Sequence, residues 1–160
     1  MISPEAFDRQ LSSLIPIISK WRLCVRLDLR QNTEIGVHCA YVHSNHPNLP
    51  DVTFEISIQF NPIYQEPFLT FRIWKTKCVD GFEKRELWFP SNLSTVLNTT
   101  FFQIGLDYMD QSSGEAWFQV HCCDTNDITG QENDKYLKRW FSVYLTLFDE
   151  RIGTIFQDLA

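Results

Sequence analysis

A chain of 160 residues with a formal net charge of −6, 44% hydrophobic and 14% aromatic, holds too much core-forming side chain to be disordered. At this length one domain over residues 1–160 is expected, burying roughly 70% of its unfolded surface. Lysine and arginine form no cluster, which argues against nucleic acid as a partner, because such binding rests on neutralising phosphates with a basic patch; a basic protein surface is the better match.

Ser3, Pro4 and Glu5 make a helix start, since serine caps, proline suits the first helical position and a carboxylate favours the positive end. Phe7, Leu11, Leu14 and Ile15 recur at helical spacing, and Pro16 is expected to end or kink that helix. From Trp21 the period becomes two, with Leu23, Val25, Leu27 and Leu29 on one face and Arg22, Arg26 and Arg30 mostly on the other. Further strands are expected over 35–43, over 52–60, where Val52, Phe54, Ile56, Ile58 and Phe60 alternate, and over 68–75. Asp80-Gly81 reads as a turn leading to the apolar run 87–89, followed by a short helix over 92–97 and an extended stretch over 115–120. An acidic loop over 124–134 precedes the strongest helix, in which Leu137, Trp140, Phe141, Tyr144, Leu145 and Phe148 share one face. The fold class is α+β: an antiparallel β-sheet meander flanked by an N-terminal helix and a C-terminal helix.

The N-terminus lacks the basic start and apolar run of a secretion signal, and no stretch approaches the roughly 18 uninterrupted apolar residues of a membrane span. A soluble protein without a transmembrane segment is expected. Cys24, Cys39, Cys78, Cys122 and Cys123 lack paired spacing, which predicts free thiols and no zinc site.

The stretch "VHCCDT" at 120–125 is the chemical candidate. In an extended chain Trp117, Gln119, His121 and Cys123 share one side, while Phe118, Val120 and Cys122 share the other, wholly apolar one. Cys123 is then the displayed thiol and Cys122 a core residue. A nearby imidazole or backbone N–H activates a thiol, whereas apolar burial makes it inert, so a structural role for both cysteines stands beside the catalytic one. His-Pro-Asn at 46–48 is explained by turn chemistry in a Pro-rich connection, and His38, His43 and His46 are expected on surfaces or loops.

Taken together, "AWFQVHCCDT" and, beyond the acidic loop, "YLKRWFSVYL" resemble the autophagy ubiquitin-like-conjugating enzymes, whose signature His-Pro-Cys-Asp-Thr precedes a helix containing Tyr-Leu and Arg-Trp. "YQEPFLTFRIW", "VDG" and "FQIGLD" are similar to the branch of that family that modifies a protein. The similarity extends over 64–148 and departs from the pattern at Cys122, which stands at the family's proline; a cysteine there removes the locked φ and restores an N–H.

The resemblance implies a ubiquitin-conjugating-enzyme-like core and a thioester nucleophile at Cys123. It implies three partners: an activating enzyme (autophagy-related protein 7), a ubiquitin-like modifier (autophagy-related protein 12) and an acceptor lysine on autophagy-related protein 5. The setting is the cytoplasm, with recruitment to the site of autophagosome formation, and no metal or organic cofactor is called for. His121 orients the segment or poises the thiol, with packing toward the core as the alternative. Tyr64 is the candidate for guiding the acceptor lysine, against a strand-end aromatic lying on the sheet. Asn126 is the nearest asparagine that can donate to a tetrahedral oxyanion, and Asp124 and Thr125 suit a turn after the strand. Competing readings are a relative with phosphatidylethanolamine as acceptor, a Cys–His hydrolase, and an interaction domain whose cysteines are structural.

Overall fold

The computed structural model describes residues 1–110, 115–121, 129–130 and 133–157. Helix α1 (Pro4–Ile18) begins as its capping residues require, with the Ala6 amide donating to the Ser3 hydroxyl at 3.1 Å. It does not end at Pro16. The bond that proline deletes belongs to the carbonyl of Ser12, and Ser12 and Pro16 both lie on the exposed side, where water solvates that carbonyl. The Ser19 amide still closes the last turn on the Ile15 carbonyl at 3.0 Å.

The sheet has seven strands: β1 (Cys24–Asn32), β2 (Val37–Asn45), β3 (Val52–Asn61), β4 (Glu66–Val79), β5 (Phe82–Leu87), β6 (Ile104–Asp110) and β7 (Glu115–Val120). Their order is β1-β2-β3-β4-β7-β6, with β5 also paired to β4 and each pairing antiparallel. The first four strands form the expected meander. β4 then serves three partners. Residues 66–75 pair with β3, while its other edge meets β7 at Thr70 and Phe71 and β5 over 74–79. The Asp80-Gly81 turn has positive φ at both residues, 52° and 80°, which suits a two-residue hairpin. Its second strand is Phe82–Leu87 and precedes the apolar run expected to carry it.

The even alternation expected along the first strand breaks at Val25. Cys24 faces Ser44 while Arg26 faces His43, so Val25 is the extra residue of a bulge and is 64% exposed. Beyond it Leu27 and Leu29 lie opposite Val42 and Ala40 and regain the inner face.

Among the described residues helices cover one face of the sheet. α1 and α2 (Tyr136–Tyr144), which continues as a 3-10 turn over Leu145–Leu147, pack there, joined by α3 (Thr154–Gln157). The expected single helix to 148 thus tightens after Tyr144. Phe7 meets Phe60 at 5.4 Å between ring centroids, and Phe148 meets Phe54 at 5.1 Å and Phe71 at 5.3 Å. Trp21, expected to begin the first strand, lies outside it and donates its indole N–H to buried Asp149 at 2.8 Å.

The outer face is a row of polar and aromatic groups running across the strands through Arg26, His43, Glu55, Arg72 and Trp117. Arg72 donates to Glu55 at 2.7, 2.9 and 3.2 Å, and Trp74 adds an indole N–H at 2.9 Å. The Arg72 guanidinium lies 4.2 Å from the Trp117 ring centroid. Burial pushes the Glu55 pKa up, but the hydrogen bonds from Arg72 and Trp74 and the guanidinium charge outweigh it and hold Glu55 below its ordinary value.

Replacing Glu55 removes three hydrogen bonds that a mostly buried arginine donates, so Glu55→Ala is expected to cost about 2 kcal/mol in a denaturant titration. In wild type the contribution of Glu55 is complete above its unfolded pKa near ~4.3 and is lost as pH falls through the lower folded value. An acid unfolding curve that Glu55→Ala leaves in place would contradict this.

Candidate active site

Strand β7 keeps the alternation of its sequence as far as it is described. Phe118 and Val120 point inward, 7% and 1% exposed; Trp117 is covered by Arg72, Gln119 is half-buried and His121 is exposed. The His121 amide donates to the Gln103 carbonyl at 2.8 Å, which extends the pairing with β6 by one residue beyond Ile104 and Val120. Cys122, Cys123, Asp124, Thr125 and Asn126 lie outside the described residues.

Register decides what surrounds His121. β7 runs antiparallel to β4 with Gln119 opposite Thr70, so the chain leaving β7 heads toward the start of β4 and the turn joining β3 to β4. Tyr64 is in that turn. The Asn61 side chain accepts the amides of Ile63 and Tyr64 at 2.9 and 3.2 Å, and the Gln65 carbonyl, in a residue at φ 52°, accepts the Ile2 amide at 2.8 Å. Tyr64 is 64% exposed. His121 and Tyr64, distant in sequence, therefore share one end of the sheet.

The described residues ahead of α2 are held from two sides. Arg139 donates to the carbonyl of buried Thr129 at 2.6 Å and to the Asn133 side chain at 3.1 Å. Gln10, on the buried stripe of α1, donates to the Asn133 carbonyl at 2.8 Å and accepts the Leu137 amide at 2.9 Å. Sequence reading missed Gln10, although a lone amide among Phe7, Leu11 and Leu14 on an apolar helical stripe signals a buried polar partner. Gly105 was also missed. It sits opposite Gln119, and a Cβ there would lie 3.9 Å from His121 Nε2.

His46 belongs to the opposite end of the sheet. Its Nδ1 accepts the amides of Asn48 and Leu49 at 3.0 and 2.9 Å, which leaves the ring proton on Nε2 to be donated to the Val96 carbonyl at 2.7 Å. The imidazole thus organises its own loop. A polar cleft of about 520 Å³ between residues 46–48, 94–100 and 146–151 includes neither His121 nor Tyr64. His38 is tied to α1, its Nδ1 lying 2.6 Å from Asp8 Oδ1, and burial lowers the pKa of His43.

Among the described residues Cys24, Cys39 and Cys78 are free thiols. Burial raises the pKa of Cys24 and of Cys39, which makes both poor nucleophiles. Cys78 is exposed on the β4–β5 hairpin, which extends away from His121.

A sheet with helices on one face and a strand end displaying histidine before two cysteines is matched by one family model. It is described as autophagocytosis associated protein, active-site domain, and aligns with residues 7–152. The ubiquitin-like-conjugating enzyme ATG10 of Eremothecium gossypii is 30% identical, over 96% of this chain and 90% of the relative, and that of Candida glabrata 33%, over 88% and 94%. A crystal structure of the autophagic E2 Atg10 superposes with a TM-score of 0.69 at 28% identity, covering 93% of this chain and 98% of that one. The solution structure of KmAtg10 shares the fold at a TM-score of 0.79 and 23% identity, with 95% and 98% covered. The chain belongs to this family, the E2-like conjugating enzymes of autophagy. Among the described residues no helix is long and apolar enough to cross a membrane.

Gln10→Ala should leave the buried Leu137 amide unpaired where α1 braces the start of α2, at a cost of about 1–3 kcal/mol. Equilibrium unfolding monitored by tryptophan fluorescence measures it, and an unchanged midpoint would show that the brace is not under load.

Proposed function

We propose that this chain accepts the ubiquitin-like modifier autophagy-related protein 12 on Cys123 from the activating enzyme autophagy-related protein 7, and passes it to a lysine of autophagy-related protein 5 in the cytoplasm. What supports the reading is that His121, directly before the sequence Cys-Cys-Asp-Thr, and Tyr64 belong to the same end of the sheet in a chain of this family.

The chemistry is two acyl transfers. The Cys123 thiolate attacks the carbonyl of the modifier's thioester on the activating enzyme; the tetrahedral oxyanion collapses, that enzyme's thiolate departs, and a new thioester forms on Cys123. An acceptor lysine, as the neutral amine, then attacks the same carbonyl. The C–S bond breaks, Cys123 leaves as thiolate, the nitrogen loses its proton and an isopeptide remains. Neither step consumes ATP or requires a metal or organic cofactor on this chain.

His121, two residues from Cys123 on the outer side of the strand, poises the thiol, and Asn126 donates to the oxyanion. Tyr64 guides the acceptor lysine, and its exposure supports that role over a packing one. A protein acceptor is favoured over a lipid because α1 has no apolar face to spare. Its Ala6, Phe7, Leu11, Leu14 and Ile18 are buried in the core and its first turn carries Glu5.

The test is charging by the activating enzyme, modifier and ATP, followed on non-reducing gels. Wild type and Cys122→Ala should form a thiol-sensitive adduct, Cys123→Ala none, and Cys123→Ser a thiol-resistant oxyester that does not transfer. Loss of the adduct in Cys122→Ala alone would reassign the nucleophile. Tyr64→Ala should charge normally and transfer about 10- to 100-fold more slowly; normal transfer would remove Tyr64 from acceptor guidance.

A further inference from the structure

Among the described residues the outermost strand next to His121 has an open edge: β6 pairs with β7 alone and ends the strand order. The bond from the His121 amide to the Gln103 carbonyl sets the phase of that antiparallel ladder: Gln103 and Gly105 exchange hydrogen bonds with β7, whereas Ile104 and Leu106 turn their N–H and C=O groups outward. Those outward groups make no other hydrogen bond among the described residues. Two apolar side chains flank them in the open, Phe101 at 84% and Leu106 at 55% exposure.

Between the two outward residues lies Gly105. Its φ is not positive, so no turn or left-handed backbone demands glycine there. A glycine inside a strand weakens it and marks a place where another chain or a ligand comes close. Above Gly105, among the described residues, the His121 ring alone approaches within 4 Å of a built Cβ, at 3.9 Å.

We propose that the edge of β6 at 104–106 binds the extended C-terminal segment of the thioester-linked modifier as an added β-strand. This rests on the conjugating-enzyme reading. Strand addition supplies main-chain hydrogen bonds in a fixed register, with exposed side chains as secondary anchors. The modifier tail is the occupant because its end is bound to Cys123, two residues after the histidine whose amide already bonds to the residue before Ile104. A strand laid on this edge runs alongside residues 104–106, on the side of β6 away from β7. No lysine or arginine occurs between Arg85 and Lys135, so the surroundings suit a neutral or basic tail and disfavour an acidic one.

Leu106→Pro tests the edge without touching the ladder to β7. It removes one outward N–H, the position at which an edge strand tolerates proline. With wild-type stability retained, transfer of the modifier should slow about tenfold, the loss of one hydrogen bond made in the loaded complex.

A second measurement does not depend on that variant folding. In the oxyester of Cys123→Ser with the modifier, amide hydrogen exchange at Ile104 and Leu106 should slow relative to the free protein. An oxyester that leaves both amides exchanging as in the free protein overturns the edge site and leaves the conjugating reading intact. Protection appearing only once acceptor is added assigns the edge to the acceptor and overturns the proposal equally. Wild type that takes no modifier at all overturns the underlying reading and this proposal together.

Discussion

Two residue pairs, Thr70 with Gln119 and Phe71 with Phe118, join the ribbon of β6 and β7 to the rest of the sheet. Everything proposed for the site depends on them. The pairing is short, and side-chain packing reinforces it on the inner face: Phe71 and Phe118 stack at 5.1 Å, and Phe148 meets Phe71 edge-on from the helical layer. On the outer face Arg72 covers Trp117 from the neighbouring strand. A slip of one residue would bury His121's side of β7 and expose Phe118 and Val120, so hydrophobic burial on one face specifies the register that displays His121 on the other.

The two faces are stabilised by different physics. The inner face is a layer of Phe, Ile, Leu and Val beneath α1 and α2, where apolar burial supplies the driving force. The outer face carries no helix among the described residues, yet Glu55 and Arg72 have side chains only 13% and 11% exposed because Trp74 and Trp117 shield them. Desolvating that pair is costly and is offset by bidentate geometry and the indole bond. The result is a rigid outer surface bordering the end where His121 and Tyr64 converge, and rigid elements hold reacting groups more precisely than loops do.

α1 has a structural position beyond its apolar stripe. Gln10 reaches the backbone at Asn133 and Leu137, and Ile2 is tied to the turn that carries Tyr64. The N-terminal helix thereby braces the β3–β4 turn and the start of α2.

Local patterns were legible in the chain itself. The cap at Ser3, the alternation of Val52 through Phe60, the Asp80-Gly81 hairpin and the two faces of β7 each arise within a few residues, where side-chain period and turn chemistry act alone. Of the candidate site, the residue types were visible in sequence, as was the exposed side of the strand up to His121. Long-range pairing settled the rest. The bulge at Val25 exists because β2 fixes what Cys24 and Arg26 must face, and Pro16 is accepted because its lost bond points to water. β5 and β6 could not be placed from their own composition: one is a charged strand that exists by pairing with β4, the other an edge strand held by β7. The approach of Tyr64 to His121's end of the sheet follows from the Thr70–Gln119 register, a contact between segments far apart in the chain. The sequence by itself determined what each segment is, because that information is local; only the tertiary structure decided which segments meet, because it depends on which pairing buries the most apolar surface.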